Sequence, residues 1–353
     1  MHESAVIRLL HEGLPPIGEQ EPTALPFTPE ALDASPLAVP ADGALWEERE
    51  ENGLRWLEKP AHGLRAPVYI TGPATSTLDV ARILVEKGLF PEWASVLSLS
   101  QSAGRGQMRR AWSSPSGNLY SALRLPSSAP FDSFAAAPAC GALVAEGLSR
   151  ERCPVMLKWP NDLLQAADTF SPPVMPGRED CRKVGGMLLE ERRGALIAGI
   201  GLNLVSCPPT STLRDNYAFS AGVLCREDGL PLLGNAFENG KKNKDIVTIF
   251  TLWKRLADAM FSCYANEKAP EPWWPALALR RLAFRGCHVT LADACPEKET
   301  TVRIPCEGVV EGVTASGALC LSTAYGTETF LGGSLLPAGE AEREPDGVFP
   351  SPE

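Results

Sequence analysis

The chain has 353 residues and a formal charge of −10, with 43 acidic against 33 basic residues. This acidic balance argues against general nucleic-acid binding, which depends on a basic surface. Apolar residues make up 44 % of the composition, enough for a sizeable core, and no apolar run is long enough to cross a membrane. We therefore expect a globular protein with one large domain and smaller attachments, or with two modest domains.

The cysteines and histidines exclude several kinds of site. All ten cysteines lie between Cys140 and Cys320 and never form a C-x-x-C pair, which indicates buried free thiols in a reducing cytoplasm. The first residues lack a basic segment followed by a long apolar core, so we expect no signal peptide. The four histidines form no H-E-x-x-H pair and no G-x-S-x-G motif occurs, which argues against zinc chemistry and a Ser–His–Asp triad.

Residues 1–65 differ from the rest of the chain in composition. They are rich in proline and hold 12 acidic against 5 basic residues, a net charge of −7. We predict two short helices there, over residues 4–12 and 44–58, with a loop or linker between them. Because helix-turn-helix spacing is missing, we interpret the segment as an acidic extension and not as a DNA-binding winged helix.

Residues 66–285 alternate between strand and helix patterns, which predicts a domain with a mixed sheet. In chain order we predict a strand at VYI, a helix capped at Ser76 or Thr77 and ending at Gly88, a strand at SVLSLSQ, a loop, a strand at NLYSALRL, a helix over residues 131–149, a strand at PVMLKW, a hairpin of KVGGMLLEE with ALIAGIGLNLV, and helices over residues 245–266 and 273–284. We interpret residues 166–181 as a surface insertion.

The C-terminal part changes character again. Short strands separated by turns predict a small antiparallel barrel over residues 286–337, followed by a polar tail over residues 338–353 that we expect to be disordered. Strands and helices in irregular order, followed by a small β module, place the chain in the α+β class.

The loop between the third and fourth predicted elements of residues 66–285 concentrates glycine and arginine. We call residues 101–118, which begin QSAGRGQMRRAW, the Gly/Arg loop. Glycine lets the backbone approach a ligand closely, and arginine supplies a permanent positive fork for phosphate or carboxylate. The combination suits a polyanionic ligand under a loop that opens and closes, although a solvated turn has the same composition.

Three further motifs place polar groups at the ends of apolar strands. KWPND brings Lys158, Asn161 and Asp162 to one rim, a set that suits phosphate and Mg²⁺ but also occurs in ordinary turns. Lys183 opens the apolar strand KVGGMLLE, where its ammonium needs a partner or must reach solvent. Asn203 lies in GIGLNL, where a ligand or the backbone has to satisfy its amide.

In this order the motifs closely resemble those of the biotin–protein ligase family of the biotin/lipoate protein ligase superfamily. The matching pieces are TST at residues 75–77, QSAGRG with RRAWSSPSGNLY, KWPND, KVGGMLLE and GIGLNL, and the resemblance covers about residues 68–336. It implies a mixed-sheet catalytic domain followed by a small SH3-like barrel.

The resemblance also implies a reaction in two steps. The carboxylate of biotin attacks the α-phosphate of ATP, with Mg²⁺ as cofactor, and gives biotinyl-5′-AMP and pyrophosphate. A lysine of a biotin carboxyl carrier domain, part of a biotin-dependent carboxylase or decarboxylase, then takes the biotin. A homodimer that uses the sheet is compatible with the family, and we expect neither DNA nor a membrane as partner.

Carried over by position, the resemblance assigns four sets of site residues. The biotin side has Ser76, Thr77, Gln101, Gly104, Arg105, Lys183 and Gly185. The ATP side has Arg105, Arg110, Trp112, Asn161, Lys183, Asn203 and Tyr217. The catalytic set is Arg105, Lys158, Asp162 and Lys183, and the Mg²⁺ ligands are Asn161 and Asp162.

The sequence departs from the family pattern at several positions. Leu78 stands where an asparagine is usual, which puts one polar contact to biotin in doubt, and Gln107 and Met108 stand where arginines are frequent. Two alternatives to a biotin ligase therefore stay open: a regulatory or non-catalytic biotin-binding protein, and a lipoate or octanoate ligase on the same fold.

Overall fold

A ten-stranded mixed sheet forms the centre of the molecule. The structure is a computed structural model, and it describes residues 6–17, 21–107, 110–167, 179–209, 219–233, 237–238, 241–242, 247–266, 273–297 and 306–337. The strands are β1 (Val6–Leu9), β2 (Glu47–Glu51), β3 (Leu54–Pro60), β4 (Val68–Thr71), β5 (Ser95–Ser98), β6 (Leu119–Arg124), β7 (Met156–Lys158), β8 (Asp162–Ala166), β9 (Cys181–Arg192) and β10 (Ala195–Leu202). Their spatial order is β2-β3-β1-β4-β5-β6-β10-β9-β8-β7, and β4 runs parallel to both β1 and β5.

Helices cover the two faces of this sheet unequally. They are α1 (Pro29–Asp33), α2 (Thr77–Glu86), α3 (Ala136–Arg150), α4 (Ile249–Tyr264) and α5 (Trp273–Arg281). Helix α2 packs on one face against β5, β6 and β10, whereas α3, α4 and α5 pack together over the other face. The side chain of Ser76 caps α2 by accepting a hydrogen bond from the backbone N–H of Leu78 at 3.3 Å, as the sequence predicts.

The N-terminal segment contradicts the two predicted helices. Residues 4–12 and 44–58 contain the strands β1, β2 and β3, and β1 pairs with β3 on one side and β4 on the other. Asn52 and Gly53 have φ values of 50° and 72°, so they form the tight turn that joins β2 to β3. An Asn-Gly pair is a strong hairpin signal because both central residues of such a turn need positive φ. We propose that residues 6–60 complete the catalytic domain instead of extending it.

The C-terminal strands close into a separate barrel. Its strands are β13 (His288–Pro296), β14 (Cys306–Val313), β15 (Leu319–Thr323) and β16 (Gly326–Pro337). A two-stranded pair, β11 (Phe237–Glu238) with β12 (Lys241–Lys242), precedes α4. The α+β class, with a mixed sheet followed by a small SH3-like barrel, is thus confirmed, and the domain boundaries stay predictions.

Several other expectations can be compared with the structure. All ten cysteines are free thiols, but only five of them are buried and Cys295 is exposed. Strand β8, which follows directly on the KWPND turn, was missing from the sequence prediction. Within the described ranges, no helix is both long and apolar enough to span a bilayer. Most of the insertion at residues 166–181, like the C-terminal tail, lies outside the described residues.

Candidate functional site

Three glycines leave a strip of bare backbone on the face of the sheet that carries α2. We call Gly186 on β9 with Gly199 and Gly201 on β10 the glycine trough; Gly201 pairs with Gly186, and residues two apart on a strand share a face. A Cβ atom on Gly199 would lie 3.0 Å from the Leu78 side chain, and one on Gly201 would lie 2.8 Å from the indole Nε1 of Trp112. Because these positions have no side chain, Leu78 and Trp112 pack directly against the backbone of the trough.

One end of the trough carries the predicted biotin-side residues. Thr77 donates to the Oε1 atom of Gln101 through its backbone N–H at 2.8 Å and has its hydroxyl 3.2 Å from the same atom. The amide of Gln101 in turn donates to the hydroxyl of Ser114 at 2.9 Å. Ser76 and Thr77 are buried, and the hydrogen bonds connect the start of α2 to Gln101 and Ser114 of the Gly/Arg loop. Leu78 packs on Gly199 beside them, so this end of the trough combines the polar side chains of Thr77 and Gln101 with an apolar one.

The base of the Gly/Arg loop is folded as a narrow hairpin. The backbone N–H of Trp112 donates to the carbonyl of Gly104 at 2.9 Å, and the N–H of Gly106 donates to the carbonyl of Arg110 at 2.7 Å. A Cβ atom on Gly104 would lie 2.5 Å from the carbonyl oxygen of Trp112, which explains why this position needs glycine. Arg105 pairs with Ala111 across the hairpin.

The side chain of Arg105 is held by two carboxylates. Its guanidinium donates two hydrogen bonds to Asp79 on α2, at 2.9 Å and 3.1 Å, and its Nε atom lies 3.6 Å from Glu190 on β9. Neither acidic residue was predicted from the sequence. Each belongs to a different element from Arg105, so only the tertiary structure brings the three groups together.

Two lysines flank one carboxylate at the other end of the trough. The Nζ atom of Lys183 lies 2.5 Å from Oδ1 of Asp162, and the Nζ atom of Lys158 lies 3.6 Å from Oδ2. Lys158 is almost wholly buried, with its ammonium over the ring of Phe219, whereas 30 % of the Lys183 side chain is exposed. Lys183 is therefore the ammonium that faces the open part of the site.

Burial and charge act in opposite directions on this cluster. Burial alone would raise the pKa of Asp162, but Lys183 and Lys158 outweigh it and hold the pKa of this carboxyl below its ordinary value. Burial lowers the pKa of Lys158 and the neighbouring Lys183 adds to the effect, although Asp162 opposes it. The cluster brings two basic side chains to one carboxylate, an excess of basic groups that suits an anionic ligand.

Trp112 links the Gly/Arg loop to this cluster. The ammonium of Lys183 lies 5.4 Å from the centre of its indole ring, while the ring rests on Gly201. The indole Nε1 is buried and has no hydrogen-bond partner among the described residues. A buried donor without a partner is costly, so this N–H is available to a ligand that enters the trough.

Asn161, Gly185 and Asn203 have structural contacts in the same region. The amide of Asn161 donates to the carbonyl of Met187 at 2.8 Å, and the amide of Asn203 donates to that of Gly222 at 3.1 Å. A Cβ atom on Gly185 would lie 2.7 Å from the Leu202 side chain, so Gly185 allows β9 and β10 to pack closely. In each asparagine the backbone thus accepts one of the two amide hydrogens.

The predicted Mg²⁺ site does not fit the donors present. Both carboxylate oxygens of Asp162 face lysine ammonium groups, which repel a divalent cation. Asp162 is better described as the counter-ion of Lys158 and Lys183.

Two predicted ATP-side residues are not placed at the site. Tyr217 lies outside the described residues, as does Met108. Arg110 is described, and its backbone carbonyl and N–H close the hairpin of the Gly/Arg loop. The other predicted site residues lie along the trough or in the elements that border it.

Comparisons with known proteins bear on the fold and on one segment of the chain. Residues 90–204, which include the Gly/Arg loop, the KWPND turn and both lysines, match the family model described as "Biotin/lipoate A/B protein ligase family". The fold is similar to that of a biotin protein ligase from Aquifex aeolicus in complex with biotin and ATP, at 21 % identity and a TM-score of 0.51, covering 76 % of this chain and 97 % of that chain. A mutant of the Aquifex aeolicus protein in complex with biotin is similar at 18 % identity and a TM-score of 0.50, covering 76 % and 96 % of the two chains.

At these identities the solved structures support the fold, and the family model supports the family of the segment that it matches. The resemblance predicted from the motifs is thereby confirmed for residues 90–204, which match the biotin/lipoate A/B protein ligase family.

Proposed function

We propose that this protein is a biotin–protein ligase, which adenylates biotin with ATP and transfers the biotinyl group to a lysine of a biotin carboxyl carrier domain. The observation that carries the proposal is the geometry around the glycine trough. Thr77 and Gln101 lie beside the apolar Leu78 at one end of the trough, and the partly exposed ammonium of Lys183 lies at the other. Such a pair of ends suits an elongated carboxylic acid with a polar head group.

In the first step a carboxylate oxygen of biotin forms a bond to the α-phosphorus of ATP, and the bond to the departing pyrophosphate breaks. Negative charge on the α-phosphate oxygens increases in the transition state. Lys183 is held at the trough by Asp162, so its ammonium is positioned in advance for this charge. The indole of Trp112 would wall the nucleotide side.

In the second step the amine of the acceptor lysine attacks the carbonyl carbon of the mixed anhydride, loses a proton, and AMP leaves. Between the steps the anhydride has to be protected from water and from other amines. The folded base of the Gly/Arg loop, which contacts α2 through Arg105 and the trough through Trp112, supports this role. The carrier domain is the proposed partner.

The proposal is tested by incubating the purified protein with ATP and Mg²⁺ and either biotin or lipoate, and by measuring pyrophosphate release. Release with biotin and not with lipoate is expected. Release with lipoate alone would favour the lipoate or octanoate ligase, for which the apolar Leu78 at the end of the trough is a supporting feature. Biotin binding without any pyrophosphate would favour a non-catalytic biotin-binding protein.

A further inference from the structure

The pair formed by Arg105 and Asp79 joins the Gly/Arg loop to helix α2. Asp79 lies in the first turn of α2, and each of its carboxylate oxygens accepts one hydrogen bond from the guanidinium of Arg105. The hydroxyl of Thr75 donates to the Oδ2 atom of the same carboxylate at 2.9 Å, which fixes its orientation. Such two-fold pairs are the strongest and most directional kind of ion pair in proteins.

Glu190 completes the set from the opposite side. It lies on β9, with an oxygen 3.6 Å from the Nε atom of Arg105, so the arginine spans the helix and the sheet. Arg105 and Asp79 are partly shielded, with 32 % and 19 % of their side chains exposed. With two carboxylates beside it, Arg105 contributes little net positive charge to a ligand, in contrast to Lys183.

We propose that Asp79 is a positioning residue that holds Arg105 and thereby keeps the base of the Gly/Arg loop folded before any ligand binds. The contribution to retaining an acyl-adenylate rests on the proposed function, whereas the effect on the loop does not. The main role of Arg105 is then to hold the loop against α2, and not to contact the phosphate. Substitution of Arg105 or of Asp79 should therefore destabilise the loop to the same extent.

The first experiment measures the loop in the ligand-free protein, so its outcome is independent of catalysis. Asp79→Asn removes the charge but keeps an oxygen that can accept from Thr75. We expect backbone hydrogen exchange at residues 104–112 to become about tenfold to hundredfold faster, as for the loss of a charge-assisted hydrogen-bonded pair. Glu86→Gln is the matched control, because it removes the exposed pair of Glu86 with Arg82 on the same helix without touching the loop.

Two results of this exchange experiment would overturn the proposal. One is unchanged exchange at residues 104–112 in the Asp79→Asn variant. The other is an increase in the exchange rate that is equally large throughout α2, which would mean that the substitution destabilises the helix and not specifically the contact between Arg105 and Asp79. Asp79→Glu, which keeps a carboxylate, is expected to restore most of the protection.

The second experiment follows escape of the intermediate from a protein that forms it. The quantity measured is the ratio of biotin transferred to serum albumin to total pyrophosphate released. We expect this ratio to rise by the same factor in Asp79→Asn, in Arg105→Gly and in the double variant, while Glu86→Gln matches the wild type. A ratio that rises in Arg105→Gly but stays at the wild-type value in Asp79→Asn would overturn the proposal, and so would effects that multiply in the double variant.

Discussion

At the scale of single residues, the site depends on one carboxylate that forms ion pairs with two lysines. Asp162 lies between Lys158 and Lys183, and the two lysines differ in exposure. The buried Lys158 neutralises Asp162 and lies over an aromatic ring, which is a structural role. The more exposed Lys183 remains directed towards the trough, which is the arrangement expected of a group that stabilises charge on a ligand.

We predict that Lys183→Ala lowers the rate of biotin-dependent pyrophosphate release by roughly 10²–10³-fold, since this is the usual effect of removing one electrostatic stabiliser. Lys254→Ala is the control, because Lys254 lies on α4 over the opposite face of the sheet. Equal rates of pyrophosphate release in Lys183→Ala and Lys254→Ala would show that Lys183 does not take part in the reaction. A thermal unfolding curve like that of the wild type would show that the variant is folded.

The pH dependence of stability tests the electrostatic account of Asp162. Its pKa is lowered in the folded protein, so its contribution is complete above the unfolded pKa, about 3.9, and is lost as the pH falls through the lower folded value. At pH 7, Asp162→Asn should reduce the free energy of unfolding by roughly 3 kcal/mol, because a buried lysine loses its partner. The difference in the free energy of unfolding between the wild type and Asp162→Asn should stay constant down to about pH 5 and decrease only below about pH 4.

Urea unfolding between pH 3 and pH 7 measures this difference. Asp258→Asn is the control, since Asp258 forms an exposed pair with Arg65. If the difference shrinks already near pH 6, burial outweighs the lysines and the pKa of Asp162 is raised instead of lowered.

At the scale of elements, the trough depends on close contact between the Gly/Arg loop and β10. We predict that Gly201→Ala displaces the indole of Trp112, because the added Cβ would lie 2.8 Å from Nε1. In protein labelled with 5-fluorotryptophan, the fluorine resonance assigned through Trp112→Phe should shift. Gly186→Ala, on the paired strand, would place its Cβ at an ordinary 3.4 Å from Asp162 and should leave that resonance in place. An unshifted resonance in Gly201→Ala would mean that the ring does not rest on the trough.

The elements that the sequence predicted correctly have signals within a few residues of each other. Helix α2 has Ser76 at its start and Gly88 just beyond its end, and the β9–β10 hairpin has a charged turn between two apolar runs. The only local signal for strand β2 is the Asn52–Gly53 turn that follows it, because all five of its residues are exposed at the edge of the sheet and glutamate favours helices. Its pairing with β3 decides its structure. In the same way, the motifs revealed Arg105 but not Asp79, which is 26 residues away on another element.

At the scale of the whole molecule, the barrel contacts the KWPND turn directly. The indole N–H of the buried Trp159, in KWPND, donates to the carbonyl of Gly317 at 2.9 Å. Gly317 lies in the turn between β14 and β15, and its backbone also packs against Ala135 at the start of α3. Lys158 and Asn161 are near neighbours of Trp159 in the chain, so docking of the barrel supports the turn that carries the lysine–carboxylate cluster.

We predict that Gly317→Ala weakens this docking. Gly317 has a φ of 93°, and an added Cβ would lie 2.6 Å from the Ala135 backbone, whereas Gly326 has a φ of 111° in the same barrel with open space around it. Gly326→Ala is therefore a matched control that carries the backbone strain, roughly 1–2 kcal/mol, without the clash. Hydrogen exchange should become faster at residues 135–138 and 157–162 in Gly317→Ala alone, and pyrophosphate release should fall with it. If exchange increased equally in Gly317→Ala and Gly326→Ala, and only within the barrel, the barrel would not support the KWPND turn.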